Sequence, residues 1–191
     1  MPSFEALGVE QCVLWLHGKG ERGEEPFMLN GVGQIFSSGN GSAGTGREWR
    51  YHPGHAYEEA LEIVRRAILD SGCVEVIIGG FSNGAAFAGT LFCRGENIDG
   101  RVVGVVVDDP PPDEGTIGCR PSAGTRVVLY WTTALDEVAA PGTDCDGIGW
   151  TCLGGDLSEL RPTQLRSVQL LFRVRTTNTG GIEPHPNSND G

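Results

Sequence analysis

The first sustained apolar run is Cys12-Val13-Leu14-Trp15-Leu16, and it stops at His17-Gly18. A short run without polar interruption predicts a strand buried on both faces that enters a turn. Val74-Glu75-Val76-Ile77-Ile78-Gly79 predicts another, rich in β-branched residues. Further strands are predicted over Val102–Val107, Arg126–Trp131 and Val168–Val174, and a shorter one over Glu48-Trp49-Arg50-Tyr51-His52, closed by Pro53-Gly54. Between these, Ala56, Ala60, Ile63, Val64, Ala67 and Ile68 recur at helical spacing and predict a helix from about His55 to Leu69, ended by Ser71-Gly72. A small-residue helix is predicted over Ala85–Cys93, and a short one near Leu157–Leu165, limited by Pro162.

Strands that alternate with helices imply βαβ units, hence an α/β fold with a mostly parallel sheet of about six strands flanked by helices. Such sheets place their ligand crevice beyond the carboxyl ends of the strands. At 191 residues the chain is long enough for one domain, read as 1–191. Many of its 30 glycines fall between Gly31 and Gly46, so residues 19–47 read as a Gly-rich irregular loop, and 176–191 as a polar tail. Only Asp109 to Thr125 separates the strands ending at Val107 and beginning at Arg126, which leaves no room for a lid domain.

Charge narrows the partners. The formal net charge is −11, from 14 Lys and Arg against 25 Asp and Glu, which opposes binding to nucleic acid or to an anionic membrane surface. No apolar run approaches the roughly 20 residues of a membrane-spanning helix. Met1-Pro2-Ser3-Phe4-Glu5 lacks the basic and apolar pattern of a secretory signal, so a cytoplasmic protein is expected. Cys12, Cys73 and Cys93 lie in or beside apolar segments and read as buried small hydrophobes. Cys145 and Cys152 could close a short disulfide loop. No cysteine pair has C-x-x-C spacing and no His joins one at a zinc-ligand interval, so neither metal nor cofactor is expected.

The chemistry concentrates at Gly80-Phe81-Ser82-Asn83-Gly84, a G-x-S-x-G sequence preceded by a predicted buried strand and followed by a predicted helix. A serine on so tight a turn needs glycine two positions away on each side, and the helix beneath it favours developing negative charge. The bland alternative is a turn in which Ser82 merely caps the helix.

At these residues the chain resembles the α/β-hydrolase superfamily, and within it the phospholipase/carboxylesterase branch that includes acyl-protein thioesterases. Ile77-Ile78-Gly79-Gly80-Phe81-Ser82-Asn83-Gly84-Ala85-Ala86 is similar to that branch's nucleophile elbow, and Val13-Leu14-Trp15-Leu16-His17-Gly18-Lys19-Gly20 to its strand ending in His-Gly-x-Gly. The resemblance runs in order from Cys12 to Val138. It implies a serine hydrolase that cleaves carboxylic ester or thioester bonds through an acyl-enzyme on Ser82. It further implies oxyanion donors in the main-chain N–H groups of Asn83 and Lys19, whose side chains are then not strictly specified. His17 reads as a structural residue of its turn.

The family order of serine, acid and histidine makes Asp136 the expected acid, in an Asp136-Glu137-Val138 segment similar to the family's. Asp108 and Asp109 are the alternative location. His185 is the only histidine after the elbow and is the expected base; His52 and His55 precede Ser82 and would break the order. Phe81 and Trp131, with Phe87, Trp150 and Leu153, are candidates to line an acyl pocket or to be core. Two alternatives stay open: lactone, dienelactone-type or cutinase-like hydrolysis or acyl transfer on the same scaffold, and a catalytically silent binding protein, suggested by the prolines around His185.

Overall fold

The computed structural model describes residues 9–108, 120, 122–132 and 151–155. Its main sheet is built on β1 (Gln11–Leu16), β6 (Glu75–Phe81), β7 (Val102–Asp108) and β8 (Arg126–Thr132). These are the apolar runs of the sequence, and they lie side by side and parallel. Three further strands complete it: β2 (Phe27–Leu29), β3 (Val32–Ser37) and β9 (Thr151–Gly155), giving the order β2-β3-β1-β6-β7-β8-β9. Only the β2–β3 pair is antiparallel. The expected mostly parallel α/β sheet is therefore present. The main sheet has seven strands among the described residues, where about six were expected.

The alternation of side chains along β1 divides the core. Cys12, Leu14 and Leu16 join Val76, Ile78, Val105 and Val107 in one cluster against two helices, α1 (His55–Ser71) and α2 (Asn83–Cys93). Val13, Ile77, Val103 and Val106 form a second cluster on the opposite face. Burial of both faces is what runs of unbroken hydrophobicity require. In α1 the buried residues Tyr57, Ala60, Leu61, Val64 and Ile68 form one stripe, and Gly72, at φ 74°, ends the helix in the left-handed conformation. α2 has no polar side: every residue from Gly84 to Cys93 is buried, as an apolar helix pressed against the sheet demands.

The stretch 19–47, expected to be irregular, instead folds into two hairpins. One is β2–β3. The other pairs β4 (Gly41–Ala43) with β5 (Gly46–Glu48) as a separate two-stranded sheet. The expected strand Glu48–His52 is likewise corrected. Only Glu48 is in a strand, and Trp49 and Tyr51 are buried because their rings stack on Phe87, at 5.2 and 5.6 Å between centroids. Their alternation is a packing pattern against α2 and not a place in the main sheet.

The cysteine reading also changes. Cys12 and Cys73 are not free thiols but a disulfide, buried completely, with Cα atoms 6.0 Å apart. The cause is the sheet: β1 and β6 are adjacent, and Cys73 lies just before β6 where it meets Cys12. Cys93 is disulfide-bonded as well. The predicted helix near 157–165, the strand 168–174, the tail 176–191 and Cys145 lie outside the described residues. Among the described residues no helix is long and apolar enough to cross a membrane, and no cluster of three metal-ligating side chains occurs.

Candidate active site

Ser82 sits between the last residue of β6 and the first of α2. Its backbone adopts φ 51° and ψ −116°, a conformation that costs a non-glycine residue about 1–3 kcal/mol and persists only where the surroundings enforce it. The flanking glycines are what enforce it. A Cβ on Gly80 would collide with the Gly84 carbonyl, and one on Gly84 with the carbonyls of Leu16 and His17. The turn is thus pressed between its own two ends and the end of β1. The first helical hydrogen bond, from Ala86 N–H to the Ser82 carbonyl at 3.0 Å, follows directly.

The same contacts bring the second motif alongside. Gly18 follows His17 at the end of β1, and a Cβ there would stand 3.2 Å from the Phe81 ring. His17 is buried, and both its ring nitrogens are used. Nε2 accepts the Gly39 N–H at 2.9 Å, so the ring proton is on Nδ1, which donates to the Gly18 carbonyl at 2.7 Å. His17 is therefore a neutral brace for the turn. The Lys19 and Asn83 main-chain N–H groups have no acceptor among the described residues. Donors of this kind, at a strand end and a helix N-terminus, can receive the negative charge that forms on a carbonyl oxygen.

The side chains of those two residues are more constrained than expected. Asn83 Oδ1 accepts the Trp49 N–H at 2.7 Å, and its Nδ2 donates to the Trp49 carbonyl at 3.2 Å. Lys19 Nζ lies 3.2 Å from Glu48, which also holds Arg50 at 3.0 Å. The hydrogen bonds from Arg50 and then Lys19 lower the Glu48 carboxyl below its ordinary range. Glu21, which sequence reading passed over, accepts the Gly18 N–H at 2.9 Å. Its acidic side chain three residues after Gly18, in a turn rich in glycine, was the available signal.

Phe81 is 41% exposed beside the serine, whereas Phe87 is fully buried core. Asp108 ends β7 in register with Phe81, one residue before the serine. Trp131 and Leu153 belong to β8 and β9, two and three strands from the elbow. His52 and His55 are exposed, and among the described residues no group hydrogen-bonds the Ser82 hydroxyl. Asp136, Glu137, His185, Asp109 and Trp150 lie outside the described residues.

No protein-family model matches the chain, and no curated protein matches it in sequence. Solved structures do match in shape. The carboxylesterase of Bacillus cereus superimposes with a TM-score of 0.58 at 16% identity, covering 86% of this chain and 88% of its own. Esterase PE8 gives a TM-score of 0.58 at 16% identity, with 88% and 96% covered. A soluble variant of the Saccharomyces cerevisiae monoglyceride lipase gives 0.56 at 12%, with 86% and 87% covered. Taken with the mostly parallel sheet, these likenesses establish the architecture as a trimmed α/β-hydrolase fold.

Proposed function

We propose that the chain is a serine hydrolase that cleaves carboxylic ester or thioester bonds of small substrates through an acyl-enzyme on Ser82. One observation carries the reading: a serine is held at φ 51° between a strand and a helix by two glycines that tolerate no side chain. A purely structural helix cap would have no need of that strain. In this reading the Ser82 oxygen attacks the carbonyl carbon while His185 takes the hydroxyl proton and Asp136 orients the imidazole. The tetrahedral oxyanion is received by the Asn83 and Lys19 main-chain N–H groups. Its collapse breaks the bond to the alcohol or thiol, which leaves with the proton from His185. Water, deprotonated by His185, then releases the acid and restores Ser82. Asp108 is the second candidate for the acid, at the end of the strand beside the elbow.

Phe81 and Trp131 are assigned to the acyl-binding wall. The similarity of both motifs to the phospholipase/carboxylesterase branch, together with neighbours described as esterases, supports ester over amide cleavage. The buried Cys12–Cys73 disulfide and the bonded Cys93 favour folding in an oxidising compartment over the cytoplasm. The test is hydrolysis of p-nitrophenyl esters of rising chain length and of an acyl thioester. Turnover should fall by orders of magnitude in Ser82→Ala and in His185→Ala. Folded protein without turnover on any of these substrates would favour the binding-protein alternative.

A further inference from the structure

Gly18 is the weak point of the turn that carries the Lys19 N–H. A Cβ there would stand 3.2 Å from the Phe81 ring and 3.3 Å from the Glu21 carboxylate, and without one the Gly18 backbone has the freedom of glycine. A donor that must face an oxyanion cannot be left on so free a hinge, because a poorly aimed N–H loses most of its worth. Glu21 closes on Gly18 from both of its polar ends. Its carboxylate accepts the Gly18 N–H at 2.9 Å, and its own N–H donates to the Gly18 carbonyl at 3.2 Å. The Gly18 carbonyl, held by the Glu21 N–H and by His17 Nδ1, shares one planar trans peptide with the Lys19 N–H, while the carboxylate holds the peptide before Gly18. The two grips together fix the rotation about Gly18 and with it the direction of the Lys19 N–H.

The turn is tied in its turn to the β4–β5 hairpin. Gly20 N–H donates to the Arg47 carbonyl and Arg47 N–H to the Glu21 carbonyl, each at 2.8 Å. Arg47 Nε donates to the Gly39 carbonyl at 2.8 Å, and Gly39 N–H returns to His17. A closed circuit of hydrogen bonds therefore runs from His17 through Gly39, Arg47 and Glu21 back to Gly18.

We propose that Glu21 is a positioning residue for catalysis: its carboxylate, by holding the Gly18 N–H, fixes the peptide before Gly18 and so keeps the Lys19 N–H, on the peptide after it, aimed at the oxyanion. This rests on the reading of Ser82 as nucleophile. The role is that of an acceptor and not of a charge, since a negative group beside a developing oxyanion opposes it.

The experiment compares Glu21→Ala, Glu21→Asp and Glu21→Gln with wild type, in ester hydrolysis and in inhibition by a trifluoromethyl ketone that forms the tetrahedral adduct. Melting temperatures establish which variants are folded. Glu21→Ala should lower kcat about 10- to 100-fold, a share of the effect of deleting an oxyanion donor, with KM within about threefold. Ketone affinity should fall in parallel. Glu21→Gln keeps an acceptor at the same reach and should stay within about threefold of wild type on both readouts; Glu21→Asp, a methylene shorter, should resemble Ala. Should Glu21→Ala fail to fold, the Gln–Asp contrast decides. Wild-type kinetics in folded Glu21→Ala or Glu21→Asp, or a Gln variant as impaired as Ala, overturns the proposal. Wild-type activity that survives Ser82→Ala would instead overturn the reading beneath it.

Discussion

The side-chain amide of Asn83 grips the main chain of Trp49 by both of its polar groups, accepting from the N–H at 2.7 Å and donating to the carbonyl at 3.2 Å. Asn83 is the first residue of α2 and Trp49 the first after β5, so this pair anchors the serine turn to a segment 34 residues away in sequence. The amide replaces a partner that neither backbone group has from regular structure. Asn83→Ala should therefore strand a Trp49 N–H and lower stability by about 1–3 kcal/mol. Urea unfolding checks this; an unchanged midpoint would mean that water satisfies Trp49 equally well.

The glycines of the elbow give a sharper test. Gly84→Ala drives a methyl group into the carbonyls of Leu16 and His17, backbone atoms that no side-chain movement relieves. The expected cost is about 3 kcal/mol or more, with the serine turn displaced. Melting temperature and esterase activity should fall together. A variant of native stability would contradict the close packing of the elbow on the end of β1.

The Cys12–Cys73 bond closes a loop spanning 61 positions. Chain entropy alone gives such a bond about 4 kcal/mol of stabilisation. The paired substitution Cys12→Ala and Cys73→Ala, which leaves the Cys93 bond in place, should shift the unfolding midpoint accordingly, and mass spectrometry under non-reducing conditions should find the linked wild-type peptides. Equal stability of wild type and the paired variant would contradict it.

The carboxyl of Glu48 is lowered by the hydrogen bonds from Arg50 and Lys19. A depressed carboxyl contributes its stability above its unfolded pKa, near the ordinary 4.5, and loses it as pH falls through the lower folded value. Wild type should accordingly exceed Glu48→Gln in stability at neutral pH, and the difference should vanish in acid below that window. Added salt should shrink it at neutral pH. A difference that persisted in strong acid would assign the effect to packing.

Much of this was legible in the chain. β1, β6, β7 and β8 are continuous apolar runs, and the stripe of α1 has a clean helical period, so tertiary context only confirmed local pattern. The tight strand–helix turn at Ser82 was legible because glycine spacing reports a backbone requirement directly. The hairpins were not. β3 reads Val32-Gly33-Gln34-Ile35-Phe36-Ser37, where glycine and a buried glutamine that receives the Trp15 indole N–H break the apolar run. The signal that could have found it is Asn30-Gly31, both at positive φ, the turn that joins β2 to β3. The disulfide was illegible because adjacency of β1 and β6 is a fact of topology, not of spacing. Glu21 and Asn83 act through side chain to backbone bonds that no periodicity encodes.

The most direct measurement is the intact mass of the oxidised protein after treatment with a fluorophosphonate, followed by peptide mapping. One phosphonyl group on Ser82, lost in Ser82→Ala and strongly slowed in His185→Ala, is the predicted result. Folded wild-type protein that stays unmodified, or is modified elsewhere, would contradict the assignment of Ser82 as the nucleophile.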